Sequence, residues 1–220
     1  MVSKTRVLVR MRDVGLSLKV ASNFSQWLTR TQLQKFIYLL DVVSLLYDLL
    51  PPSEAHLTYK YGPYDAAIQN AVDSLAFRDF VTVRDVHQSP EGDISARYQL
   101  TPEGNSWIEE ISETIVFVSQ WEAACAVGRQ IDSLGWDRLI DLVYAEPTFV
   151  STRHRGYGQT LPMNNGVDNS AAFFLAAIKR VLGHGFGKMS INRELIVDLF
   201  FRYLDEYDHT QASKRARRYL

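Results

Sequence analysis

The stretch TYKYGPYDAAIQNAVDSLAFRDFVTV, residues 58–83, decides how the chain is read. It opens on an aromatic, basic and Gly-Pro cluster. Gly62-Pro63 is a turn signal, and Pro63 suits the first turn of a helix, where its missing N–H costs nothing. Tyr64, Ile68, Val72 and Leu75 then recur at helical spacing and line one face. Residues 80–86 and 96–100 alternate as strands. The polar run HQSPEGDIS between them, with Pro90 and Gly92, reads as a hairpin loop.

Upstream, TQLQKFIYLLDVVSLLYDLLPP (residues 31–52) predicts a strong helix. Thr31 followed three residues later by Gln34 fits a capping box. Leu33, Phe36, Ile37, Leu40, Val43, Tyr47 and Leu50 form its apolar stripe, and Pro51 and Pro52 stop it. Helix, helix, hairpin is the order of a winged helix-turn-helix. The expected fold class is therefore mainly α with a small β-hairpin wing. The winged helix-turn-helix spans 29–101 and a C-terminal helical region spans 102–220.

Thr101-Pro102-Glu103 starts a further helix, with Thr101 as cap, Pro102 in the first turn and Glu103 favoured by the dipole. Its stripe of Ile108, Ile111, Ile115 and Val118 carries it to about Gly128. Another helix covers about 134–144. Residues 146–168 show no periodicity and hold three glycines and two prolines, so a long loop is expected there, functional or disordered. Helices follow at about 169–182 and 191–207, with GHGFGK between them. Residues 1–28 carry five cations against Asp13, and Val7, Val9 and Met11 alternate with Arg6, Leu8, Arg10 and Arg12. They read as a basic N-terminal arm or strand.

Composition narrows the function classes. The chain has 220 residues, 46% of them hydrophobic, and a net charge of -1. No global field draws it to nucleic acid. Its basic N-terminus lacks the apolar run of a secretory signal, and no segment approaches the length that spans a bilayer, so a cytoplasmic protein with no membrane partner is expected. Cys125 is the only cysteine, which excludes an intramolecular disulfide and a Cys-rich zinc site, and its small apolar neighbours place it in the core. The five histidines lack metal-ligand spacing, and no GxSxG elbow is present. LGHGFGKMS fails as a phosphate loop, because Leu182 and Met189 replace a required Gly and a required Ser or Thr. No catalytic residue, metal, cofactor or small-molecule substrate is expected.

The helix after Pro63 is a poor groove reader. Its polar positions are Asp65, Gln69, Asn70, Asp73, Arg78 and Asp79, one arginine against three aspartates. Acids beside phosphates oppose the contacts that dominate DNA affinity. Asp65, Gln69, Asn70 and Asp73 are therefore read as a partner-binding surface. The candidate nucleic-acid contacts lie elsewhere. They are Lys60, Arg84 and Arg97 around the wing, Arg153 and Arg155 in the 146–168 loop, and Lys214, Arg215, Arg217 and Arg218 in the tail.

TQLQKFIYLLD, YKYGPYDAAIQNAVDSL, the wing closing in YQLTPEG, and LIDLVYAEPTF together carry a family likeness over about residues 30–150. They resemble small prokaryotic winged-helix proteins of the SocA/Panacea-type antitoxin group. They are also similar to the middle components of ATPase-containing defence operons, of which Lamassu-type systems are an example. The resemblance implies a non-catalytic accessory subunit. It would act as an adaptor between an SMC-like ATPase and an effector nuclease, or as an antitoxin and DNA-binding regulator.

Overall fold

A computed structural model describes residues 4–24, 27–52, 55–90, 92–114, 117–163, 169–182 and 192–217. It revises the chain from its start. Lys4–Ser22 is a helix, α1, not an arm or strand, and Arg10 and all but one of the residues from Asp13 to Ala21 are buried. The alternation of Val7, Val9 and Met11 misled because one charged residue of the series, Arg10, points into the core. α1 packs against α3 (Ala66–Phe77) and the elements described below, which surround it. Gly15 permits this crowding, since a Cβ there would lie 2.8 Å from Ile108 and 2.9 Å from Trp107.

Strand β1 (Leu28–Thr29) leads into α2 (Arg30–Ser44). The capping box sits two residues earlier than its expected position. Thr29 Oγ1 accepts from the Gln32 N–H at 3.2 Å, and Gln32 Oε1 accepts from the Thr29 N–H at 2.8 Å. Gln34, freed from capping, clamps the Asp65 backbone through both ends of its amide, at 3.0 Å each. α2 passes into a short 3-10 turn at Leu45–Tyr47, and Leu50 lies beyond it, exposed.

The Gly-Pro cluster forms a strand rather than a helix start. β2 (Leu57–Tyr59) and β3 (Gly62–Tyr64) pair as a small antiparallel hairpin. Gly62 has φ +88, and a Cβ there would meet Lys35 Nζ at 2.7 Å and Tyr144 at 2.9 Å. α3 begins only after Asp65, whose carboxylate caps it by accepting from the Ala67 N–H at 2.8 Å. Tyr64 therefore lies outside the helical face, while Ile68, Val72 and Leu75 bury as expected, joined by Ala67 and Ala71.

β4 (Val81–Gln88) and β5 (Ile94–Leu100) make the expected hairpin, and β1 joins on the far side in the order β1-β5-β4. The register runs from Val81↔Leu100 and shifts between Arg84 and His87, where Asp85 has φ 53. α4 (Pro102–Ser112) is capped by Thr101, whose Oγ1 accepts from the Gly104 N–H at 3.0 Å. It stops well short of Gly128. α5 (Val118–Ala145) is a separate long helix that absorbs the expected 134–144 segment across a break at Gly135.

The expected loop at 146–168 holds a helix, α6 (Pro147–Arg153). Its cap is Glu146, fully buried, which accepts from the Phe149 N–H at 2.8 Å, from Tyr38 Oη at 2.5 Å and from Thr148 Oγ1 at 2.8 Å, as well as from Ser170. A bridge between Leu57 and Thr160 ties the following residues to β2. α7 (Ser170–Leu182) and α8 (Arg193–Arg217) complete the fold. The GHGFGK segment lies outside the described residues, as does Arg218.

One hydrophobic cluster runs from Val14 to Leu204, with Leu33, Phe36, Ile37, Leu40 and Val43 of α2 inside it. It is continuous across residues 28 and 101. Cys125 packs against it half-buried. The architecture is mainly helical with small antiparallel sheets, and no described helix is long and apolar enough to cross a membrane.

Candidate functional site

Asp65 is not part of an exposed face. It is buried, and it belongs to an ionic cluster that locks α1, α2 and α3 together. Arg10 stands at the centre. Its Nε donates to Asp65 at 2.8 Å, one terminal nitrogen donates to Asp13 at 2.8 Å and Asp41 at 3.1 Å, and the other reaches Asp41 at 2.5 Å. Arg6 adds a second contact to Asp65 at 2.5 Å, and Arg12 a second to Asp13 at 2.6 Å. Burial opposes the charged guanidinium of Arg10, but the three carboxylates outweigh it and raise its pKa.

Asp41 shows the same balance from the other side. Burial pushes its carboxyl up, yet Arg10 and His56 more than offset this and hold it at about 2. His56 Nε2 lies 2.7 Å from Asp41 and 3.3 Å from a terminal nitrogen of Arg10, its Nδ1 has no partner, and burial lowers its pKa, favouring the neutral ring. Three carboxylates thus face three guanidinium groups. The cluster resembles a metal cage in its ligands, but Arg10 fills it. Among the described residues no group of His, Cys, Asp and Glu is placed to hold a metal.

The remaining α3 positions do reach the surface. Gln69 is half-buried, donates to Asp73 at 2.9 Å and accepts from Tyr98 Oη at 3.3 Å, while Asn70 and Asp73 are exposed. Of the two amides, that of Gln69 is therefore engaged within the protein. At the end of α3, Phe77 is 91% exposed.

The β4–β5 hairpin carries Arg84 and Arg97, and both are held locally. Arg84 lies 3.6 Å above the Trp27 ring centroid, and its Nε is 3.8 Å from Asp85. Arg97 Nε is 3.6 Å from the same carboxylate. Asp85 can take this position because its positive φ turns it out at the strand irregularity. Around these residues Val83, Val86 and Ile94 are exposed, Val86 to 61%. Lys60 lies 4.8 Å over its neighbour Tyr61.

The other basic candidates do not join this surface. Arg153 ends α6, 5.9 Å from the Phe149 ring, and Arg155 is exposed in the turn that follows. That turn is fastened to β2, where the Thr58 N–H donates to Gln159 O at 2.8 Å and Thr58 Oγ1 donates to Gly156 O at 2.7 Å. Lys214, Arg215 and Arg217 fall on the last turns of α8.

Between the two hairpins lies a cleft of about 580 Å³ that the sequence reading did not identify. The start of α2 forms its floor, with Arg30 and Lys35. Tyr59, Tyr61 and Tyr64 form one wall, and residues 87–89 and 93–95 the other. Arg30 spans the floor, donating to Ile94 O at 3.1 Å and to Tyr64 Oη at 3.4 Å. At the rim Tyr61 Oη donates to Asp93 at 3.1 Å, so the hairpin tips touch.

Lys35 is buried and donates to Pro63 O at 3.1 Å and to Tyr61 O, with Tyr144 5.7 Å below. Burial pushes its ammonium down to about 7. Neither Arg30 nor Lys35 has a carboxylate within ion-pairing distance among the described residues, unlike Arg10, Arg84 and Arg97. One clue to Lys35 was visible in the sequence: a single cation inside the apolar run LQKFIYLL.

No known protein family matches this chain, and no curated protein matches it.

Proposed function

We propose that the chain is a non-catalytic accessory subunit that uses a winged helix-turn-helix framework to bind other proteins in the cytoplasm. In this reading α2, α3 and the β4–β5 hairpin are the two helices and the wing. The subunit belongs to a prokaryotic antiphage or anti-plasmid defence complex and bridges an SMC-like ATPase and an effector nuclease. The motif likeness over residues 30–150 supplies the biological setting. One observation carries the binding mode. The two hairpin arginines share the Asp85 carboxylate, Arg84 also lies over Trp27, and Val83, Val86 and Ile94 are left to the solvent. A surface that meets phosphates keeps its cations free, whereas one that meets a protein presents apolar side chains with few net charges.

Co-expression with the products of the neighbouring genes, followed by size exclusion with light scattering, tests this. A stable complex of defined stoichiometry is expected. A chain that stays monomeric in the presence of every neighbour product ends the proposal.

The second reading is a DNA-binding regulator or antitoxin. Arg155, exposed beside β2, and the basic end of α8 favour it. Binding to its own promoter DNA that weakens steeply between low and high salt would establish it.

A further inference from the structure

We infer that the cleft between the two hairpins receives an extended acidic segment of the partner protein, with a carboxylate seated on Arg30 and Lys35. This rests on the protein-binding reading above and adds the chemistry of what is bound.

Donor capacity is the first argument. A guanidinium carries five N–H donors and an ammonium three. Arg30 uses two in the observed contacts and Lys35 uses two, so each has hydrogens left for an incoming acceptor. No carboxylate among the described residues takes them up. A buried cation without an anion is expensive to keep, and an arriving carboxylate offsets that cost. Both groups line one cavity, and its 580 Å³ is the size of an ordinary ligand site.

Shape is the second. Tyr59, Tyr61 and Tyr64 give the cleft an aromatic wall, with Tyr59 and Tyr64 5.4 Å apart between centroids. Tyrosine offers a flat apolar body with a polar tip, which accepts the flanking side chains of a peptide. The contact between Tyr61 and Asp93 bridges the rim, so a chain lies beneath it or displaces it.

The same features weigh against a nucleic acid. A single strand needs a track of cations, one for each phosphate neutralised. Here Asp93 stands at the rim, and the nearest hairpin arginines are already held by Asp85. Two cations and a rim acid suit one carboxylate better than a row of phosphates.

The experiment selects random peptides displayed on phage against the full chain. Selected sequences are then synthesised and titrated into the isotopically labelled protein, with amide shifts followed by NMR. We expect enrichment of peptides with Asp or Glu beside an aromatic or aliphatic residue, and shifts confined to residues 29–35, 59–64 and 87–95. Their glutamine counterparts and the Arg30→Gln variant should each weaken binding about tenfold, as the loss of a charge-assisted contact does. Arg30 sits half-exposed in the first turn of α2, so its variant keeps the fold. Tyr61→Ala, altered only at a hairpin tip, is the second variant and should weaken binding by a similar factor. No enrichment, peptides without acids, or shifts elsewhere overturns the inference. So does an oligothymidylate that displaces the peptides from the same residues, which would assign the cleft to nucleic acid. The test uses no operon partner. A failed cleft alongside an intact complex with the neighbour subunits therefore sinks this inference alone.

Discussion

Replacing Arg10 by Met is the most informative perturbation of this fold. The side chain is fully buried, and Met keeps an unbranched apolar stem without the charge. The loss is unequal among the three aspartates. Asp65 keeps Arg6 and the Ala67 N–H, and Asp13 keeps Arg12. Asp41 keeps only the neutral His56. The cost therefore concentrates on Asp41, left as a buried carboxylate without a cation. Breaking a buried pair by removing one partner costs about 3–5 kcal/mol. In a chain of this size that lowers the melting temperature by about 6–20 °C, at 2–4 °C per kcal/mol. Urea unfolding followed by circular dichroism measures it. A second substitution, Asp41→Asn, removes the stranded charge and should return about 1 kcal/mol or more on the Arg10→Met background. A loss below about 1 kcal/mol for Arg10→Met, or no recovery in the double variant, refutes the view that this cluster holds the three helices together.

Further expectations follow from single residues. Gly104→Ala should cost about 2–3 kcal/mol, because its Cβ would lie 2.0 Å from the Phe80 carbonyl oxygen, a backbone atom that cannot swing away. Gly92→Ala meets open space and is strained only by its φ of +85, so a loss of about 1 kcal/mol is expected in the same melt. Lys35 has a folded pKa of about 7 against 10.5 unfolded, so the unfolded chain holds more protons between those values. Stability should accordingly rise with pH through that window, and Lys35→Met should flatten the rise in melts taken between about pH 7 and 9. Val86→Asp should leave the melting temperature unchanged, since Val86 is exposed, yet weaken association with the partner subunit at least about tenfold in light-scattering titrations.

Local chemistry made some elements legible. The apolar stripes of α2 and α3 follow helical spacing, and Thr101-Pro102 announces α4 by capping alone. The same grammar was present at Glu146-Pro147, where an acidic cap and a proline begin α6, but the surrounding glycines concealed it. Asp65 could have been recognised as a cap, had Pro63 not drawn the start of the helix three residues early. What no local rule reveals is the interior of α1. Whether an arginine at position 10 faces water or three aspartates depends on partners 3, 31 and 55 residues away. The cleft is hidden for the same reason, since its floor and two walls come from three separate segments. On the candidate surface, Gln69, Asn70 and Asp73 reach solvent or its edge, and Asp65 does not. A spacing pattern cannot distinguish an acid that caps and anchors from one that meets a partner.

The central arginine also sets an order of events during synthesis. Arg10 leaves the ribosome well before Asp65, which lies 55 residues further along. At ordinary elongation rates that separation lasts about 3–11 s. Throughout it α1 carries a guanidinium destined for the interior, with its most distant carboxylate not yet made. Although α1 emerges before its partners, it is therefore among the last of these helices to be sealed in place. Its neighbours in the finished molecule, α3, α4 and α5, must all be translated before it can dock. A nascent chain halted before α3 would expose a cationic, half-apolar helix to chaperones, and that interval is when the protein depends most on the cell that makes it.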